Sequence, residues 1–182
     1  MVSARRAATI DASQFAAAYR DYLPKVLNFI RLRVPDEGVA EDLTAATFEQ
    51  AFRKIGQLRN DDAFAGWLFR IARNEIGQYY RRRRPRMHEG QGSLDDLLDL
   101  PDRSESPFEA AARREQLAGV LDAIAGLTPR EQEIIALRFV GGLTNHEIGQ
   151  AMNLSDSNAG VILFRAIRKV RDLLGIEAGR EP

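Results

Sequence analysis

Apolar residues return every three or four positions along most of the chain, the spacing of one face of a helix. Phe15, Tyr19, Tyr22, Val26, Phe29 and Ile30 form a first such stripe. Val39, Leu43, Ala46, Phe48 and Phe52 form a second, following Pro35-Asp36-Glu37. A third helix is predicted over 65–84, with Trp67, Leu68, Ile71, Ala72 and Ile76 on its apolar side, so that Trp67 reads as a core residue rather than a wedge between DNA strands. No alternating β-branched run interrupts the series, and there is no internal repeat. The pattern predicts an all-α fold.

The C-terminal part is punctuated by capping chemistry. Thr128-Pro129-Arg130-Glu131 has an N-cap threonine, proline at the first helical position and a glutamate three residues after the cap, and predicts a helix ending near Phe139 at Gly141-Gly142. Thr144-Asn145-His146-Glu147 opens a short helix that ends near Met152. Asn153-Leu154-Ser155 turns the chain into a long last helix whose buried stripe is Ala159, Leu163, Ala166, Ile167, Val170 and Leu174. A short helix, a tight turn and a longer helix is the helix-turn-helix arrangement, whose second helix enters a DNA major groove.

Composition narrows the chemistry. The 182 residues contain no cysteine, which removes disulfides, thiol catalysis and thiolate metal sites, and the two histidines, His88 and His146, stand far apart. No Ser-His-Asp set, metal cluster or glycine-rich phosphate loop is present, so we expect no catalytic activity and no cofactor. The chain lacks a signal-like N-terminus and an apolar run of the ~20 residues a bilayer requires, so a cytoplasmic protein is expected.

The formal net charge of zero is an average over unlike segments. Residues 1–92 carry 16 basic and 11 acidic side chains, net +5; residues 93–112 carry one and six, net −5; residues 113–182 carry nine of each. The stretch 87–107, with Gly90, Gly92, Pro101 and Pro107 around Asp95, Asp96, Asp99, Asp102 and Glu105, reads as an acidic linker. The division expected is a tail over 1–13, a helical domain over 14–86, a linker over 87–112, a helix-turn-helix domain over 113–175 and a tail over 176–182.

Several residues carry recognition chemistry. Asn74 and Gln78 are four apart on one helical face, and their amides offer both donor and acceptor to a base edge. Arg81, Arg82, Arg83 and Arg84, with Arg86, follow Tyr79-Tyr80 at the end of that helix. Basic residues complement a helix C-terminus, but five in six positions exceed that need and point to phosphate contact beside stacking aromatics. In the last helix Ser157, Asn158, Val161, Arg165 and Arg168 lie away from the buried stripe and form the groove-facing side. There asparagine reads adenine, valine touches a thymine methyl and the arginines reach phosphates.

Ala40-Glu41-Asp42-Leu43, Thr47-Phe48 and Trp67-Leu68-Phe69-Arg70-Ile71-Ala72-Arg73-Asn74 together resemble the first domain of bacterial sigma factors. Leu127-Thr128-Pro129-Arg130-Glu131 with Leu143-Thr144-Asn145-His146-Glu147-Ile148-Gly149 resembles their promoter-binding C-terminal domain, and the order and linker resemble the extracytoplasmic-function group. The resemblance implies a transcription initiation factor with core RNA polymerase (clamp helices and flap), promoter DNA and an anti-sigma factor as partners, and no membrane insertion. It implies polymerase docking by Glu41, Asp42, Leu43, Thr47 and Phe48, and a pocket for an unstacked base of the −10-type element in the loop 56–63, with Gln57, Arg59 and Asn60 as polar groups and Leu58 and Phe64 as walls. It implies −35-type contact by Thr144 and the groove-facing residues. Gly160 stands where relatives often carry a cation; either its missing side chain lets DNA approach, or the isolated domain binds DNA weakly. An autonomous helix-turn-helix regulator is the alternative, and the block 40–48 speaks against it, since a free regulator needs no polymerase-docking helix.

Overall fold

The computed structural model describes residues 12–58, 64–83 and 107–176, and everything described is helix, turn or short connection. Among the described residues seven α-helices follow one another: α1 (Ala12–Arg31), α2 (Glu37–Lys54), α3 (Phe64–Arg83), α4 (Pro107–Ala125), α5 (Pro129–Phe139), α6 (Asn145–Met152) and α7 (Asp156–Leu173). A single 3-10 turn, Ile55–Gln57, follows α2.

The first half is the packing of α1, α2 and α3. Val26, Phe29 and Ile30 of α1 are fully buried, as are Leu68, Phe69 and Ala72 of α3. Phe29 meets Phe69 edge to face at 5.2 Å between ring centroids, the offset geometry aromatic quadrupoles favour. Asp36 caps α2, its carboxylate accepting from the Val39 amide at 2.8 Å. The buried stripe of α2 is Ala40, Thr44, Thr47, Phe48 and Ala51; of the residues that the apolar spacing selects, Phe48 alone is among them. Phe52, expected inside, is 58% exposed. Small side chains let α2 lie close to its neighbours, and both buried threonines send their hydroxyls to the carbonyl four residues back, Thr44 to Ala40 and Thr47 to Leu43, each at 2.7 Å. Those bonds satisfy the hydroxyls locally, so burying them costs little.

The second half assembles α5 and α6 on α7. Both capping boxes form: the Thr128 and Thr144 hydroxyls accept from the Glu131 and Glu147 amides, and each glutamate returns a bond to the threonine's backbone amide. Gly142 takes φ +71° after α5, and Asn153 takes φ +57° after α6, where an asparagine tolerates the left-handed conformation. Ser155 caps α7 through the Asn158 amide. Ala159, Leu163 and Ala166 are buried against α5 and α6, while Ile167 and Val170 are partly covered. This is a helix-turn-helix, with the element bounds expected.

One boundary moves. Helix α4 begins at Pro107, inside the segment 87–112 expected to be linker. Proline suits a first helical turn, so residues counted toward the linker belong to a helix start.

Candidate protein and nucleic-acid interfaces

Helix α2 turns Glu41, Asp42, Ala45, Glu49, Phe52 and Arg53 to solvent. Glu41, Ala45, Glu49 and Phe52 recur at helical spacing, so two acids and an aromatic ring share one stripe. Phe52 is seated by Phe15 of α1 at 5.2 Å, and next to them Tyr19 packs on Phe48 at 4.7 Å. Glu49 is also paired to Arg53 one turn on. Of the docking residues expected, Glu41 and Asp42 are on the surface, Leu43 is half-buried, and Thr47 and Phe48 are in the core. The buried pair shapes this face from beneath and offers no surface to a partner. Phe52 was missed because an aromatic at helical spacing reads as core; only the packing of small residues at 40, 44, 47 and 51 turns it outward.

Helix α3 carries the second set. Asn74 is exposed, whereas Gln78 is half-buried and accepts from Arg82 at 3.2 Å. Arg83 bonds the Tyr79 hydroxyl and lies over its ring at 5.1 Å, a cation–π placement. The neighbouring Tyr80 donates to the Arg33 carbonyl and is thereby tied to the end of α1. Burial raises the Tyr80 pKa above its ordinary value, so the donor stays protonated. Arg81, Arg82 and Arg83 are exposed at the helix end. Gln57 is exposed after α2, while Arg59, Asn60, Arg84, Arg86, His88 and the acidic linker residues through Asp102 lie outside the described residues.

The expected walls of the base pocket separate. Phe64 is buried between Tyr22 (5.5 Å) and Trp67 (6.0 Å). Trp67 is only half-buried, and with Leu58 and Arg70 it borders an open cleft of about 460 Å³ whose far side is His146, Asn153 and Asp156. Trp67 is therefore neither sealed core nor a free wedge.

On α7, Ser157, Asn158, Val161, Arg165 and Arg168 are all exposed on one side, as the stripe predicts. Phe164 belongs with them at 69% exposure, between Val161 and Arg168, and the sequence reading passed over it. The same periodicity that places Val161 and Arg168 outward places Phe164 outward, and an exposed ring there offers apolar contact to thymine methyls. Thr144 spends its hydroxyl inside the capping box, accepting from the Glu147 amide and donating to Glu147 Oε2 at 2.8 Å. Gly160 faces neither open groove nor solvent alone: a Cβ there would lie 3.2 Å from Asn145 Nδ2. Neither account of Gly160 given above includes that neighbour; its missing side chain seats α7 against the start of α6.

His146 lies between Asp156 Oδ2 (3.0 Å from Nδ1) and the Gln150 amide (2.8 Å from Nε2). Among the described residues no group of histidine, aspartate and glutamate is gathered as a metal site. None of their helices is long and apolar enough to cross a membrane.

Comparison with known proteins matches both halves separately. Residues 18–86 match Sigma-70 region 2, and residues 123–172 match Sigma-70, region 4. The ECF RNA polymerase sigma factor BldN of Streptomyces coelicolor is 32% identical over 174 residues, covering 95% of this chain and 65% of BldN; the chain thus spans somewhat less than two thirds of that relative. The RNA polymerase sigma-H factor of Pseudomonas aeruginosa is 30% identical over 168 residues, covering 86% of this chain and 83% of that protein. Among solved structures, CnrH in complex with the cytosolic domain of CnrY aligns with TM-score 0.62 at 23% identity over 94% of both chains. The sigma factor RpoE of Bartonella quintana, in complex with the anti-sigma factor NepR, aligns with TM-score 0.67 at 18% identity over 91% of this chain and 99% of that one. The fold, the order of the two halves and these likenesses agree: the chain belongs to the extracytoplasmic-function group of the sigma-70 family of RNA polymerase sigma factors.

Proposed function

We propose that this chain binds core RNA polymerase through α2 and brings it to promoters read by α3 and α7. The observation that carries the reading is the division of exposed chemistry among three helices. Acids and one aromatic ring face outward on α2, amides and arginines on α3, and an amide, apolar groups and arginines on α7. Acidic groups around an exposed ring suit a basic protein surface. Amides and arginines suit base edges and phosphates. Glu41, Asp42 and Phe52 are the docking residues of this reading, with Leu43 at their edge.

Asn74 and Gln78 face the melting-region (−10-type) element, with Gln57, Tyr79 and the arginines 81–83 alongside; Arg59, Asn60 and Arg84 complete that set by sequence. Ser157, Asn158, Val161, Phe164, Arg165 and Arg168 face the upstream (−35-type) element. Members of this family are in general DNA-binding regulators rather than enzymes, and the nucleotidyl transfer belongs to polymerase. By analogy with CnrH and RpoE, whose structures hold CnrY and NepR, an anti-sigma factor is the inhibitory partner. An autonomous regulator would leave the acidic, aromatic face of α2 without a purpose.

The test is run-off transcription on genomic fragments with purified core polymerase, with and without this protein. The reading expects new, discrete start sites that appear only with the protein. A protein that binds those fragments alone and leaves the transcripts of core polymerase unchanged would instead be the autonomous regulator.

A further inference from the structure

The last turn of α3 carries three arginines in a row, and each folds back onto the residue four positions earlier. Arg81 lies over Gly77, where an added Cβ would stand 3.3 Å from its Nη1. Arg82 donates from Nη2 to Gln78 Oε1 at 3.2 Å. Arg83 donates to the Tyr79 hydroxyl and covers that ring at 5.1 Å from its centroid. Residues four apart are neighbours on a helix, and the missing side chain at position 77 leaves room for the first of these contacts. Among the described residues none of the three guanidiniums is paired with a carboxylate.

The helix beneath this row is anchored. Tyr80 donates to the Arg33 carbonyl at the end of α1 and meets Tyr79 edge to face at 5.1 Å. The guanidiniums lie along α3 as an ordered strip of donors rather than extending from it as loose cations.

Within the strip the Gln78 amide is constrained. A guanidinium has five donors and no acceptor, so the amide oxygen, not the nitrogen, must face Arg82. Nε2 is the free end, with no partner among the described residues. Oε1 keeps a second lone pair, but a base amino group brought to it would sit against the Arg82 cation, donor against donor. Asn74, one turn earlier, is exposed and makes no hydrogen bond to a described side chain, so its amide keeps both donor and acceptor. Two amides that sequence spacing treats alike are therefore unequal in chemistry.

Base edges turn that inequality into a choice. Guanine offers N7 and O6, two acceptors side by side, whereas adenine sets its N6 amino group beside N7 and cytosine presents its N4 amino group. A glutamine with both ends of its amide free pairs with adenine. One whose oxygen is held by a cation presents N–H groups only, and those match guanine.

We propose that Arg82 is a positioning residue that fixes Gln78 as a donor, and that Gln78 thereby selects guanine in the −10-type element. The inference rests on the functional reading above, which sets α3 against that element. It moves Arg82 from phosphate contact to base choice.

The test is transcription of a promoter library, randomised in the melting region, by holoenzyme reconstituted from core polymerase and the full chain. Gln78→Ala and Asn74→Ala locate the positions these residues read. At the Gln78 position the wild-type protein should favour guanine over adenine about tenfold, the discrimination of one well-formed base contact. Arg82→Ala should free Oε1 and bring adenine to parity or above there, with the Asn74 position unchanged. Arg82→Lys, which keeps a donor against Oε1, should keep guanine. Gln78→Glu, with acceptors only, should move the preference to a base with an amino group; retained guanine in that variant would overturn the inference. So would adenine preferred by the wild-type protein. An Arg82→Ala variant that loses activity on all sequences alike, with guanine still preferred, would make Arg82 a phosphate contact and equally overturn it. Unchanged preferences in Gln78→Ala would overturn it while leaving the functional reading to the other residues. Absence of initiation by the wild-type holoenzyme would overturn that reading and the inference with it.

Discussion

The two halves of the molecule are built by different means. In the C-terminal half, local chemistry marks each element: two capping boxes, a serine cap, a proline at a helix start and a left-handed asparagine define α5, α6 and α7 almost residue by residue. In the N-terminal half, among the described residues, a side-chain cap is made by Asp36 alone, and aromatic packing across helices carries the rest. The comparison teaches that a surface set by local signals can be read from sequence, whereas a surface set by long-range packing cannot. On α7 the residues opposite the buried stripe are exposed, as the stripe predicts. On α2 two of five expected docking residues are inside, and the ring that is outside was assigned to the core.

The largest effect should separate two phenylalanines that sequence pattern treats alike. Phe29→Ala removes a fully buried ring and should cost about 3–5 kcal/mol in urea unfolding. Phe52→Ala, at an exposed position, should cost well under about 1 kcal/mol yet weaken core polymerase binding. Similar losses of stability in the two variants would remove the distinction between the core and the docking face of α2.

Charge gives the next contrast. Asp42→Arg should reduce core polymerase affinity roughly tenfold by placing like charge against a basic surface, while circular dichroism stays unchanged. Wild-type affinity in that variant would mean that α2 docks by another side.

The capping boxes should matter less, and only to the second half. Thr128→Ala and Thr144→Ala should each cost about 0.5–2 kcal/mol, read as loss of amide-exchange protection in α5 and α6 with α1–α3 unaffected. Loss of protection spreading to α3 would show that the two halves unfold as one unit through the contact between α3 and α6.

Legibility follows the same divide. Asn158, Val161 and Arg165 were readable because their helix has a buried stripe of its own, Ala159, Leu163 and Ala166, and the opposite side must face out. Phe164 follows the same logic, since its position opposite that stripe turns it outward. Thr47 was not readable as core, because its burial depends on small residues of α2 meeting α1 and α3, whereas Phe48 stands in the apolar stripe of that helix. The neighbour of Gly160 was not readable either, since Asn145 stands fifteen positions earlier on another helix. The start of α4 at Pro107 was hidden by acidic composition that spans linker and helix alike.

The smallest expected effect is electrostatic. Hydrogen bonds from Lys169, at 2.6 Å, and from Thr128 lower the Glu131 pKa from 4.5 to about 2. The folded state therefore binds this proton less readily than the unfolded chain. The resulting stabilisation is complete above the unfolded pKa and is lost as pH falls from about 4.5 toward 2. Lys169→Met should flatten that acid limb for the second half in a pH series of thermal unfolding. An unchanged limb would remove Lys169 as the cause.

The central claim is that one half reads the melting region and the other the upstream element, and transcription of a randomised promoter library by reconstituted holoenzyme tests it directly. The account predicts that Asn74→Ala and Gln78→Ala relax base preference in the melting region alone, each by about 1–3 kcal/mol where the contact is bidentate. Asn158→Ala, Val161→Ala and Phe164→Ala should relax it in the upstream element alone. Preferences that shift in the same element for both sets, or in neither element for both sets, would contradict the division.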